Sequence, residues 1–322
     1  MTAADPGSPR GGEAFEPPSG RQVELVRGDQ SAFVVEVGGA LRSYTVAGRP
    51  LLDGYGPGER CTGARGHPLI PWPNRLRGGT YSFADREHQL SLTEPERGNA
   101  IHGLVRWASW CQGESSGSRV VMTHTLHPQP GWPFTLGLSI DYSLGDGGLT
   151  VRVTAANLGA DPCPYGAGAH PYLALGAGGI DDLWLKAPGG RFMRSDERGI
   201  PTGEEGVGGT PYDFRVSRRI GSAVIDTAYT ALQRDPDGRA RVELADPATG
   251  RGVSLWQDEA YPYLMLYTGD SLPEEERRRQ GLGVEPMTCA PNALSSGEGL
   301  QVLAPGQSFT SCWGISPAAS AG

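Results

Sequence analysis

The chain has little cysteine and no cysteine pairing. Its five cysteines, Cys61, Cys111, Cys163, Cys289 and Cys312, are scattered and odd in number, with no CxxC spacing. That excludes a disulfide framework and a zinc knuckle, and it fits reduced thiols in a cytoplasmic protein. No apolar run approaches membrane-spanning length, and the first residues carry no apolar core of signal-peptide length. Basic stripes are missing too. The net charge is −8, which makes nucleic acid and anionic membrane poor partners. The densest charge run, Glu274-Glu275-Glu276-Arg277-Arg278-Arg279, cancels its own sign and reads as a solvated loop or short helix. Long amphipathic helices are absent.

Turn formers and short apolar runs are what the sequence does have. Among 322 residues there are 49 glycines and 27 prolines, with no period, as a chain of short strands requires. Runs of alternating or apolar character occupy Gln22–Val26, Phe33–Val37, Leu41–Val46, Val120–Leu126, Leu136–Leu144, Leu149–Ala155, Ala240–Leu244, Gly252–Trp256, Tyr263–Tyr267 and Phe309–Ile315. Gly145-Asp146-Gly147-Gly148 marks a hairpin between two of them. The class is therefore all-β, as packed sheets or a barrel. Residues 1–20, rich in Gly, Pro, Ser and Glu, read as a disordered arm. Residues 21–316 read as a single β domain and 317–322 as a flexible tail.

Six histidines are present: His67, His88, His102, His124, His127 and His170. None has a partner at metal-ligand spacing. His124 and His127 would lie on opposite faces of an extended segment, so no metal is expected. In Gly66-His67-Pro68-Leu69-Ile70-Pro71-Trp72-Pro73-Asn74-Arg75-Leu76 the prolines make a rigid segment. It serves either to position Arg75 or as a packed crossover. His102 stands before Gly103, which permits close approach of another backbone or of a ligand; in its apolar setting local sequence favours a satisfied core histidine over a functional one. Small residues precede His170 in Gly166-Ala167-Gly168-Ala169-His170-Pro171-Tyr172, suggesting open space at the imidazole, and Pro171 biases His170 to an extended backbone. Imidazole titrates near neutrality, so His170 is either a proton-transfer group or a buried histidine hydrogen-bonded in a tight corner. Glu285 sits between Val284 and Pro286. It is either a solvent-facing carboxylate or a base, and local sequence favours the former. Asp226 is a second acid, in an Asx turn or at a site.

Taken in order, Pro71-Trp72-Pro73-Asn74-Arg75, Ile101-His102-Gly103, His170-Pro171-Tyr172, Asp226-Thr227-Ala228-Tyr229, Val284-Glu285-Pro286-Met287-Thr288 and Ala290-Pro291-Asn292 resemble the motifs of the aldose 1-epimerase (galactose mutarotase) family. The resemblance runs from about Val23 to Ile315. It implies a β-supersandwich of large antiparallel sheets with an open sugar cleft. It implies His170 as general acid and Glu285 as general base. Arg75, His102 and Asp226, with Asn74 and Tyr172 beside them, are implied as sugar-binding residues. It implies no cofactor, no metal, a monosaccharide as the partner molecule, and a monomer or homodimer. Trp72, Trp107, Tyr172 and Trp256 are candidate apolar contacts for a sugar. Leu104 stands where the best-known members have a second glycine, Pro286-Met287-Thr288 replaces the usual Thr-Gln, and the Arg75–His102 segment is short. The resemblance therefore extends to the reaction and not to galactose as the sugar.

Three rival readings share these residues. A hexose-6-phosphate epimerase would need a cationic pocket, for which Arg106, Arg191 and Arg194 are candidates. A non-catalytic sugar-binding module would not need both His170 and Glu285. A glycoside hydrolase or lyase would use paired carboxylates, Asp226 with Glu285, and leave His170 unexplained.

Overall fold

The computed structural model describes residues 16–176 and 178–319. Two large antiparallel sheets dominate. One has nine strands, in the order Cys111–Ser116, Arg119–Leu126, Leu136–Gly145, Gly148–Asn157, Ser308–Ala319, Arg251–Gln257, Ala240–Asp246, Trp184–Lys186, Arg218–Arg219. Its long strands alternate buried and part-exposed residues, most regularly over Leu136–Gly145. That is the pattern of a sheet with one face on the core. Gly145 pairs with Gly148 across Asp146-Gly147, the two-residue hairpin expected from the sequence.

The second sheet has eight strands and carries the chemistry. Its path runs Pro201–Gly206, Arg191–Ser195, Asp226–Thr230, Tyr263–Tyr267, Leu282–Met287, Gly168–Ala169, Pro68–Leu69, with Tyr172–Leu173 also paired to Leu282–Met287. Leu282–Met287 is buried along its whole length, because other structure covers both of its faces. A smaller sheet of four strands begins at Gln22–Arg27. One apolar cluster joins residues of both large sheets, among them Ile140, Tyr142, Leu255, Trp313, Leu264 and Val284.

Two boundaries differ from the sequence expectation. Pro317, Ala318 and Ala319 are not a loose tail: they extend the strand Ser308–Ala319 and pair with Val253, Gly252 and Arg251. Beyond Ile315 this strand has a neighbour on one side only, and proline is tolerated at such an edge. At the other end, Ser19 is buried and accepts a hydrogen bond from the Val37 N–H at 3.0 Å, so residues 16–20 are ordered. The rest of the expected arm, residues 1–15, lies outside the described residues. The charge run at 274–279 forms a short 3₁₀ turn over Glu275–Arg277. Its arginines are not idle: Arg277 reaches Asp53 at 3.0 Å and Arg279 reaches Asp270 at 2.8 Å, fastening this loop to the body. All five cysteines are free.

Candidate active site

Adjacent strands bring the acids together. Glu285 faces Met265 across one ladder, and Asp226 faces Tyr267 on the next strand. Asp226 opens its strand as an exposed residue rather than forming an Asx turn. Glu285, which local sequence favoured as solvent-facing, is 2% exposed. The reason is tertiary: its strand is covered on both faces.

His170 lies in the break between Gly168–Ala169 and Tyr172–Leu173. Its backbone is pinned from two sides. Its N–H donates to the His67 carbonyl at 3.1 Å, and the Gly66 N–H donates to its carbonyl at 2.9 Å. From the other side the Val284 N–H donates to Pro171 at 3.0 Å. This places Nε2 of His170 3.2 Å from Oε1 of Glu285, both side chains buried. The small residues before His170 do not leave open space. A Cβ on Gly166 would meet Sγ of Cys289 at 2.4 Å, and one on Gly168 would meet Pro73 at 2.8 Å. They are small because neighbouring chain packs against them.

Tyr172 stacks on His170, with ring centroids 4.8 Å apart and planes 19° apart. Its hydroxyl donates to the Gly63 carbonyl at 3.0 Å, and the Arg65 guanidinium carbon lies 4.8 Å from its ring centroid. Arg65 in turn pairs with Asp53 at 3.0 Å. Tyr172 thus backs the imidazole with its hydroxyl already committed. His102 approaches His170 edge-on, centroids 5.3 Å apart. Its Nδ1 accepts the Asn74 N–H at 3.2 Å, which leaves the ring hydrogen on Nε2 when the imidazole is neutral. Gly103 answers the question the sequence left open. It sits at φ 71°, and a Cβ there would lie 2.0 Å from the Ile70 carbonyl. It admits backbone, not ligand.

Arg75 donates to Glu94 through two nitrogens, Nε to Oε2 and Nη2 to Oε1, each at 3.0 Å. Sequence reasoning missed Glu94, since nothing near Pro95 indicates which cation it meets. Asn74 is buried, and its Oδ1 accepts the Arg75 N–H at 2.8 Å. It shapes the turn that presents Arg75. The Asn292 N–H donates to the Arg75 carbonyl at 2.7 Å, so the Ala290-Pro291-Asn292 turn buttresses the same strand.

These residues line an open cleft of about 730 Å³ that also includes Arg106, Trp107 and Tyr267. Of the candidate tryptophans only Trp107 faces it. Trp72 is core, and Trp256 lies under Arg239 in the other large sheet. Arg191 and Arg194 do not converge on the cleft either: they pair with Glu204 at 3.0 Å and Glu205 at 2.9 Å on an outer strand pair.

Burial governs the electrostatics. It pulls the His170 imidazole down to about 3, and the charge of Arg106 adds to the effect. Burial also holds His102 well below the usual imidazole range, again with Arg106 contributing. Glu285 is pushed well above the usual carboxylate range by burial, then by the Asp226 charge, while Arg75 opposes the shift. Both shifts favour the uncharged form of each group. Among the described residues, His102, His170 and Glu285 also form the one group whose donor atoms, all within 4.8 Å of one another, could hold a metal ion. Sequence spacing does not reveal this group, because the three residues come from distant segments.

The family profile for aldose 1-epimerase matches residues 21–315. The chain belongs to the aldose 1-epimerase family. Within this family, it is 34% identical over 290 residues to the uncharacterized protein YihR of Escherichia coli K12, covering 90% of this chain and 91% of that one. It is 25% identical over 301 residues to a maltose epimerase of Levilactobacillus brevis, covering 86% and 84%. In fold it resembles a GalM/aldose epimerase homologue from C. elegans, with a TM-score of 0.82 at 16% identity over 93% and 99% of the two chains. The galactose mutarotase-like β architecture expected of an aldose 1-epimerase is present. No described helix is long and apolar enough to cross a membrane.

Proposed function

We propose that this aldose 1-epimerase family member catalyses mutarotation, interconverting the α and β anomers of an aldose. The observation that carries the reading is the buried contact of 3.2 Å between Nε2 of His170 and Oε1 of Glu285 at the cleft. Mutarotation needs one acid and one base, and this pair holds one transferable proton.

Glu285 takes the proton of the C1 hydroxyl while His170 gives a proton to the ring oxygen. The C1–O5 bond breaks and the open-chain aldehyde forms. Rotation about C1–C2 presents the other carbonyl face, and the ring closes with both transfers reversed. No atom is gained or lost. Burial favours the uncharged form of both groups, so in this reading the ionised pair forms by transfer of a proton from Glu285 to Nε2 across the short contact. Arg75, whose charge favours ionised Glu285, supports that form. His102 offers an Nε2–H to a substrate oxygen, and the carboxylate of Asp226 accepts from sugar hydroxyls. Positioned groups of this kind orient the sugar for proton transfer.

Polarimetry of freshly dissolved α-glucose, α-galactose and common aldose phosphates tests the reading. The protein should speed the approach to anomeric equilibrium for at least one, and His170→Asn and Glu285→Gln should abolish the gain. If no aldose responds, the reading is wrong. If both variants match the wild type, the residue assignment is wrong.

A further inference from the structure

Resting on the mutarotase reading, we infer that the substrate carries an anionic substituent, bound by Arg106 at the cleft.

Arg106 differs from the paired arginines around the site, and from Arg60, which lines the cleft without an ion pair among the described residues but is exposed to water. Arg75 is committed to Glu94, Arg65 to Asp53, and Arg277 to Asp53 and Glu59. Arg106 lines the same cleft, is half-buried, and makes no ion pair or hydrogen bond among the described residues. A cation withdrawn from water without a counter-ion is costly, and burial accordingly lowers its pKa. A neutral hydroxyl could accept its hydrogen bonds but would not offset its charge. An anion would do both. Guanidinium suits this task because its planar fork meets two oxygens of a phosphate, sulfonate or carboxylate at once.

The turn that bears Arg106 is held in place. The Leu104 N–H donates to the Ile70 carbonyl at 2.7 Å, and the Gly38 N–H donates to Ala108 at 2.8 Å. Arg106 follows His102 by four residues, so the same short segment sets both the His102 imidazole and the cation. Trp107, 58% exposed, lies beside it with its ring 5.9 Å from the guanidinium carbon. It offers an apolar face for the sugar ring next to the charge. C1 must keep a free hydroxyl for the reaction, so the anionic group belongs elsewhere on the sugar.

The test compares anomerisation of glucose with its C6 phosphate, C6 carboxylate and C6 sulfonate analogues, for the wild type, Arg106→Met and Arg106→Lys. At least one anionic sugar should exceed glucose in kcat/KM by tenfold or more. Arg106→Met should lower that ratio by roughly 10–100-fold, the usual worth of a charged hydrogen bond, and Arg106→Lys by less. Which analogue responds identifies the anion. If Arg106→Met does not fold, rising salt applied to the wild type reads the same contact: KM should climb for the anionic sugar and stay flat for glucose. Equal kcat/KM for glucose and every anionic analogue, or a ratio unmoved by Arg106→Met or by salt, overturns the anion site and leaves mutarotation standing. Silence towards every sugar, glucose included, overturns both.

Discussion

Asn74 and His102 hold each other. The Asn74 N–H donates to Nδ1 of His102 at 3.2 Å, and the His102 N–H donates to the Asn74 carbonyl at 3.0 Å. Both residues sit at positive φ, 58° and 63°, a region that costs most side chains energy and that asparagine and histidine tolerate better than most. The reciprocal bonds maintain this geometry and select one tautomer. Nitrogen-resolved NMR should find His102 neutral at neutral pH, with hydrogen on Nε2, and still neutral where a free imidazole has begun to protonate. A resonance that titrates near 6.5 would contradict the burial-driven shift.

If His170 and Glu285 form one acid–base pair, as proposed, their losses should not add. His170→Asn and Glu285→Gln should each slow anomerisation by roughly 10²–10⁴-fold. The double variant should be hardly slower than the worse single one. Additive losses would mean that the two side chains work on separate steps.

Arg75 depends on Glu94 for its orientation. Replacing Glu94 with Ala frees two of the guanidinium nitrogens and leaves a largely buried cation unpaired. Loss of one partner from a buried pair costs about 3–5 kcal/mol, so the melting temperature should drop. KM should rise more than kcat falls. A kcat effect with unchanged KM would place Glu94 in the chemistry instead.

Gly168 should matter for packing. Gly168→Ala puts a Cβ 2.8 Å from Pro73 and 3.0 Å from the Pro286 carbonyl, and overpacking of this kind costs about 1–3 kcal/mol. Thermal melts should show it. A variant as stable as the wild type but altered in KM would restore the idea that the small residues make room for a ligand.

Acid should destabilise the fold. Burial holds His67 and His170 down to about 3, against about 6.5 when unfolded. A lowered imidazole pKa contributes stability in full above 6.5, and that stability is lost as pH falls towards 3. Glu285 has the opposite sign. Its raised pKa contributes fully below the unfolded carboxylate value and is lost as pH rises through the folded one. The melting temperature should therefore fall between pH 6.5 and 4, and His67→Gln should flatten that fall.

The all-β class, most strand positions, the Asp146-Gly147 hairpin and the segments around Arg75, His102, His170, Asp226 and Glu285 were legible in the amino-acid order, because turn residues and alternation act over a few positions. Gly103 and Gly168 show where that range ends. A glycine announces that something comes close, not whether it is a carbonyl, a proline or a sugar. The depth of Glu285, the Glu94 partner of Arg75, the pairing of Pro317 with Val253 and the solitude of Arg106 depend on chain far away in sequence. Burial and charge pairing are sums over neighbours in space, so only the tertiary structure could decide them.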